Sequence, residues 1–202
     1  GGINNFTTLE TEYEYVAKPF SISWKEQVYF SKGNLQYNIA NKIWRFADNQ
    51  SDYIGAIKDI PTEHDGWIDM FCWNTGNNPT SSTAYYDQKF IDWGINNIGN
   101  EASNTYYTLS VESWEYLLRK REVTHAGYYS DVVINDVNGV STGLMLLPDD
   151  WTCPSGITFG NKLTFTTAQW AELEAAGAVF LRSGSYWTSS NYHPHAPVDG
   201  AS

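Results

Sequence analysis

Side chains suited to chemistry are few in this chain and widely spaced. Asp149 and Asp150, adjacent and just ahead of Trp151, offer the hard oxygens that Ca2+ takes, and they are the best local candidates for a cation site. A calcium-dependent sugar site needs several such ligands converging, and the chain has neither a Glu-Pro-Asn nor a Gln-Pro-Asp triplet to supply them. Carboxylates at a strand end more often cap loop amides, which is the preferred reading. His193 and His195 flank Pro194 and could grip a transition metal, but no third ligand stands beside them and an ordinary polar tail is favoured. His64 and His125 stand alone. Ser183 and Ser185, beside Gly184, make no nucleophile elbow, because no helix follows them. Cys72 and Cys153 form neither a CxxC redox motif nor a four-ligand zinc set; they are either a disulfide or two separate small buried residues.

The elements that must position these groups are clearest from Tyr107 to Ser190. Ser110 reads as an N-cap, with Leu109 before it and Trp114 after it at the spacing of a hydrophobic staple, and Val111, Trp114, Leu117 and Leu118 form one apolar stripe. A second helix repeats the device with Thr166 as N-cap, Gln169 at the capping-box position, Phe165 stapled on Trp170, and Gly177 as a left-handed stop. Gly143 to Leu147, apolar throughout and closed by Pro148, reads as a buried strand. Ala178 to Leu181 and Tyr186 to Ser190 read as further strands. Tyr128-Tyr129 and Val132 to Ile134, with a turn over Asp136 to Gly139, suggest a hairpin into the Leu144 strand.

Upstream, Phe20, Ile22 and Trp24 alternate, and Val28 to Phe30, a turn at Ser31 to Asn34, and Leu35 to Tyr37 read as a hairpin. Ile43 to Phe46 makes a third strand. Between Asp48 and Asn104 periodicity fades, yet Tyr53, Trp67, Phe71, Trp73 and Trp93 punctuate the polar residues, so an ordered long-loop region is expected, with a short helical turn over Ile91 to Ile95. Residues 1–18 read as a linker or an acidic edge segment, and 19–202 as one domain.

The chain has 202 residues, of which 16% are aromatic and only 17% charged, an imbalance common in extracellular β-rich binding domains and found too in aromatic-cored enzymes. A formal net charge of −11 repels polyanions and argues against nucleic acid as a partner. Its densest basic run, Arg119-Lys120-Arg121, falls in the last turn of the first helix, where cations complement the dipole. No apolar run approaches the ~20 residues of a membrane span. The chain opens Gly-Gly without methionine, as a trimmed chain does, so no leader is argued for or against.

The ordered series Phe30-Ser31-Lys32-Gly33-Asn34-Leu35-Gln36-Tyr37, Trp44 to Asp48, Gly66 to Asp69, Asp92-Trp93-Gly94, Tyr107 to Leu117, Leu144 to Trp151, Gly177 to Leu181 and Tyr186 to Ser190 resembles a known family. It is similar to C-type-lectin-like domains of the formylglycine-generating-enzyme type, found in secreted or lipid-anchored surface proteins of gut anaerobes. The resemblance implies an α+β, C-type-lectin-like fold with small antiparallel sheets, two helices and extensive irregular loops. Relatives continue past the Trp187 strand, whereas this chain stops at Ser202, so its C-terminus is either natural or truncated. The enzyme that names the fold type uses copper and a C-terminal cysteine pair; Cys72 and Cys153 match neither position.

The resemblance therefore implies a non-enzymatic ligand-binding domain for adhesion or recognition, extracellular or on the outer cell surface, with a glycan or protein as ligand and no cofactor beyond the weak Ca2+ candidates. Contacts are expected from Tyr85 and Tyr86 in the 74–90 loop and from Trp187, Tyr192 and His193. Some relatives are diversified by retroelements, and Asn191 to Ser202 falls within the residues such a process reaches. The alternatives are an enzyme of the formylglycine-generating type and a structural component of a surface or fimbrial assembly.

Overall fold

The computed structural model describes residues 14–54, 65–80, 83–136 and 139–182. The expected Tyr186 to Ser190 strand lies outside them. The fold is α+β: β1 (Phe20–Ser21) pairs with β2 (Gln27–Val28); β3 (Leu35–Asn38) lies between β4 (Ile43–Phe46) and β5 (Trp67–Ile68); and β6 (Tyr128–Asp136), β7 (Gly139–Leu146), β8 (Thr164–Thr166) and β9 (Val179–Arg182) form a sheet in the order β8-β6-β7-β9.

The four-stranded sheet owes its form to a long hairpin. β6 and β7 pair antiparallel from Tyr128↔Leu146 to Asp136↔Gly139, with a bulge between Tyr129 and Val132 where Asp131 takes φ +56°. β9 adds antiparallel to β7, while β8 runs parallel to β6, so this sheet is mixed. The strand read at Gly143 to Leu147 is the inner half of β7, and Met145 and Leu146 are buried to 0% exposure.

Both helices begin as their caps predict. In α1 (Val111–Glu115) the Ser110 hydroxyl accepts the Ser113 amide at 3.2 Å, and Leu109 and Trp114 join Phe20, Leu117 and Val179 in one apolar cluster. The helix then widens into a π turn over Tyr116–Lys120, with the Arg121 amide reaching back to the Tyr116 carbonyl at 3.0 Å. In α2 (Thr167–Ala175) the capping box is complete: the Thr166 hydroxyl takes the Gln169 amide at 3.2 Å, and the Gln169 side chain takes the Thr166 amide at 3.0 Å. Its far end is a Schellman motif. Gly177 adopts φ +102°, its amide donates to Glu174, and the next amide, of Ala178, donates to Leu173.

The N-terminal strands differ from the expected hairpin. Val28 does not fold back on Leu35; β2 pairs with β1, and β3 pairs with β4. Two local choices decide this. Residues 30–32 find their partners upstream, where Val16 donates to the Phe30 carbonyl at 2.8 Å and Lys32 donates to the Glu14 carbonyl at 3.0 Å. β3 reverses at Asn38, whose side chain accepts the Asn41 amide while Lys42 takes φ +55°, a tight turn that delivers Ile43–Phe46 directly alongside. Trp24 leaves the alternation altogether and stands 82% exposed at the β1–β2 tip.

The long coil between β4 and α1 is held by rings. Tyr86, Trp73, Phe90, Trp93, Phe71 and Trp44 contact one another in succession at centroid separations of 5.3, 5.2, 6.0, 6.1 and 5.4 Å. The expected helical turn is a 3-10 turn over Trp93–Ile95 capped by Asp92, whose carboxylate also accepts the Thr108 amide at 2.8 Å and so ties the coil to the approach of α1. Gly94 passes so close to the Tyr106 carbonyl that a Cβ there would collide with it. Buried Gln50 fastens the other side, accepting the Phe180 amide and donating to the Ala178 carbonyl at 3.3 Å. Cys72 and Cys153 are separate free thiols; Cys153 is exposed, against the burial expected, and donates to the Ile157 carbonyl at 3.3 Å.

Candidate functional site

Strand alternation splits the β4-β3-β5 sheet into an apolar and a polar face. Tyr37, Trp44, Phe46 and Ile68 point into an aromatic core, so their neighbours Gln36, Arg45 and Trp67 must lie on the other side. Gln36 and Arg45 are direct cross-strand partners, and the Arg45 Nε donates to Gln36 Oε1 at 2.8 Å. From β4 the guanidinium reaches across β3 and lies over the Trp67 ring of β5, 3.7 Å from its centroid. Pinned at its Nε and over one ring face, Arg45 has no other hydrogen-bond partner among the described residues, which leaves the two outer nitrogens of its fork as donors.

A segment running over Asp52, Tyr53 and Ile54 walls this face into an open cleft of about 400 Å³, with Asp65 also on its lining. The wall is braced from several directions. The Asn34 amide donates to the Asp52 carbonyl at 2.9 Å, Ile54 donates to the Asp69 carboxylate at 2.7 Å, and the Asp52 carboxylate accepts the Asn49 amide at 3.1 Å. The Arg182 guanidinium lies 4.2 Å from the Tyr53 ring centroid and donates to the Ser51 carbonyl at 3.4 Å. The result is a preorganised polar cleft with two rings, a fork donor, an amide and carboxylates on one surface.

Those residues singled out from sequence that the structure describes fall elsewhere. Tyr86 is exposed and stacks on Trp73; Tyr85 is half-buried, and its carbonyl accepts the Asn74 amide at 3.0 Å. Trp187, Tyr192 and His193 lie outside the described residues. Asp149 is a structural latch: its two oxygens take the Ser21 amide at 3.1 Å, the Ser21 hydroxyl at 2.6 Å, the Gln27 amide at 2.9 Å and buried Arg121 at 3.0 Å. Burial pushes this carboxyl up, but the bonds from Ser21, Gln27 and Arg121 outweigh it and hold the group below its ordinary value. Asp150 makes an exposed ion pair with Lys18 at 2.9 Å. Among the described residues no group of three His, Cys, Asp or Glu side chains is placed to hold a metal ion. His125 contacts the Ala126 carbonyl through Nδ1 at 2.7 Å. Burial raises both thiols, Cys72 and Cys153, above the usual cysteine value and so keeps them protonated at neutral pH.

Sequence reading did not find the cleft. The alternation Ile43-Trp44-Arg45-Phe46 was signal enough to put Arg45 opposite the aromatic core, but only the strand register brings Gln36 and Trp67 to it. No helix among the described residues is long and apolar enough to cross a membrane. Set against models of known protein families, curated proteins and solved structures, the chain matches none of them.

Proposed function

We propose that this chain is a non-enzymatic recognition domain of a secreted or lipid-anchored surface protein, built on a C-type-lectin-like scaffold of the formylglycine-generating-enzyme type, and that it binds a glycan in the cleft on the β4-β3-β5 sheet. The scaffold reading is supported by the two helices, small sheets and ring-anchored coil among the described residues. The binding reading rests on one observation above all: Arg45, lying over Trp67 and pinned by Gln36, turns its unengaged donors toward an open polar cleft that also carries Tyr53 and Asp65.

Saccharides suit such a surface because each hydroxyl both donates and accepts. Arg45 supplies donors, Asp65 supplies an acceptor, and the rings of half-buried Trp67 and exposed Tyr53 supply apolar contact for the C–H face of a pyranose. Rigid bracing of the wall lowers the ordering cost of binding. Protonated, unbridged Cys72 and Cys153 give thiolate chemistry no support.

The test is a glycan array probed with the wild-type chain and with Arg45→Ala and Tyr86→Ala. Binding to a defined saccharide is expected, weakened by about tenfold or more in Arg45→Ala, the loss of one charged hydrogen-bonding group, and retained in Tyr86→Ala. Loss in Tyr86→Ala with retention in Arg45→Ala would move the site to the 74–90 loop, and no binding to any glycan would contradict the proposal.

A further inference from the structure

A second cavity, separate from the cleft, opens between the β1–β2 hairpin and the chain entering α1. It encloses about 140 Å³, enough for one compact group, and its walls are mainly rings: Tyr29, Phe30, Phe46, Tyr106 and Tyr107, closed by Leu109. The floor is rigid. Tyr106 meets Phe46 edge-on at 4.7 Å, and Phe30 packs edge-on against Phe20 at 5.0 Å and at a tilt against Trp114 at 5.9 Å. The mouth is open, since Tyr29 and Tyr107 are 55% and 60% exposed.

Two observations say what such a cage would hold. The wall itself is mostly aromatic and offers few hydrogen-bonding groups. The surroundings are also negative: Glu14 and Glu101 act on Tyr106 and Glu26 acts on Tyr107, in a chain whose net charge is −11. Burial first, and then these carboxylates, push the Tyr106 phenol up to about 12. A field that opposes a phenolate favours a cation in the same place. One positive group lies near: Lys32 is paired with Glu14 at 3.4 Å, which takes up part of that carboxylate and leaves Glu26 and Glu101.

We infer that this cavity is a binding site for a quaternary ammonium group, held by the rings of Tyr29, Tyr106, Tyr107 and Phe46, with the outlying carboxylates complementing its charge. A trimethylammonium group fits where a primary ammonium does not: it is weakly hydrated, needs no hydrogen-bond acceptors, and gains from ring contact. A primary ammonium would lose its water to walls that offer it few acceptors.

The experiment titrates the isotopically labelled chain with choline, with its neutral carbon isostere 3,3-dimethylbutan-1-ol, and with ethanolamine, following amide and aromatic shifts. Saturable shifts at Tyr29, Tyr106 and Tyr107 are expected with choline, with the isostere and ethanolamine at least about tenfold weaker. Tyr107→Ala, at an exposed position, is expected to weaken choline by about fivefold or more while leaving the remaining spectrum in place. Phosphatidylcholine vesicles, against phosphatidylglycerol vesicles, distinguish a lipid headgroup from free choline as the source, since only a headgroup that can enter the cavity gives co-sedimentation lost in Tyr107→Ala. Equal affinity for choline and its isostere, or choline shifts outside these tyrosines, would overturn the inference. Glycan binding at Arg45 is read on different residues, so either result can fail without the other.

Discussion

Arg121 illustrates how one side chain converts a helix end into a joint. Its side chain is 2% exposed, and it donates to the Leu117, Leu147 and Gly127 carbonyls and to Asp149. Placement at the helix terminus was legible from the basic triplet; that this member is buried and reaches three segments was not, because its partners are up to 28 residues away. Asp149→Asn is expected to cost on the order of 3 kcal/mol at pH 7, since it leaves a desolvated guanidinium without its counter-charge, read by denaturant unfolding. The carboxyl is depressed in the fold, so its contribution is present above the unfolded value of about 4 and lost as pH falls through the folded value; below that the two proteins should converge. Glu174 has the opposite sign. Burial, then the nearby Asp52 charge, raise its carboxyl, so the folded state favours the protonated form and that advantage is lost as pH rises through the raised value. Glu174→Gln should therefore melt higher than wild type at pH 7, with the gap closing near the unfolded value of about pH 4; a lower melting temperature at pH 7 would contradict this assignment.

At the scale of elements, what depends on neighbours in sequence was readable and what depends on register was not. The caps at Ser110 and Thr166 and the Gly177 stop all involve residues within a few positions, and each appears where the spacing placed it. The N-terminal hairpin went otherwise because Phe30 and Lys32 take their backbone partners upstream, at Val16 and Glu14. The cleft was hidden for a related reason: its three key residues sit on three strands. Gln50 is the element-scale fastener that sequence could not reveal, since it is buried 128 residues away from the Ala178 carbonyl it serves. Gln50→Ala should cost about 2–4 kcal/mol by leaving the Phe180 amide and Ala178 carbonyl without partners, and should loosen the Asp52–Ile54 wall. Hydrogen exchange at Phe180 and Ile54 checks both; unchanged protection at Ile54 would separate the wall from the fastener.

Among the described residues, three clusters share the work: one under the four-stranded sheet with α2, one between α1 and β1, and one of aromatic rings beneath the cleft. None is large alone, and the coil between them stays in place because Asp92, Gln50 and the ladder from Tyr86 to Trp44 tie it at intervals. This division leaves the β4-β3-β5 sheet one face for packing and one for solvent, which is the condition for a rigid recognition surface. The most direct test is to titrate the labelled chain with the saccharide that the array selects and to map the perturbed side chains. The account predicts shifts at the Gln36 amide, the Arg45 Nε and the Trp67 indole, all saturating with one affinity and all absent in Arg45→Ala; shifts confined to Tyr85, Tyr86 or the stretch beyond Arg182 would contradict it.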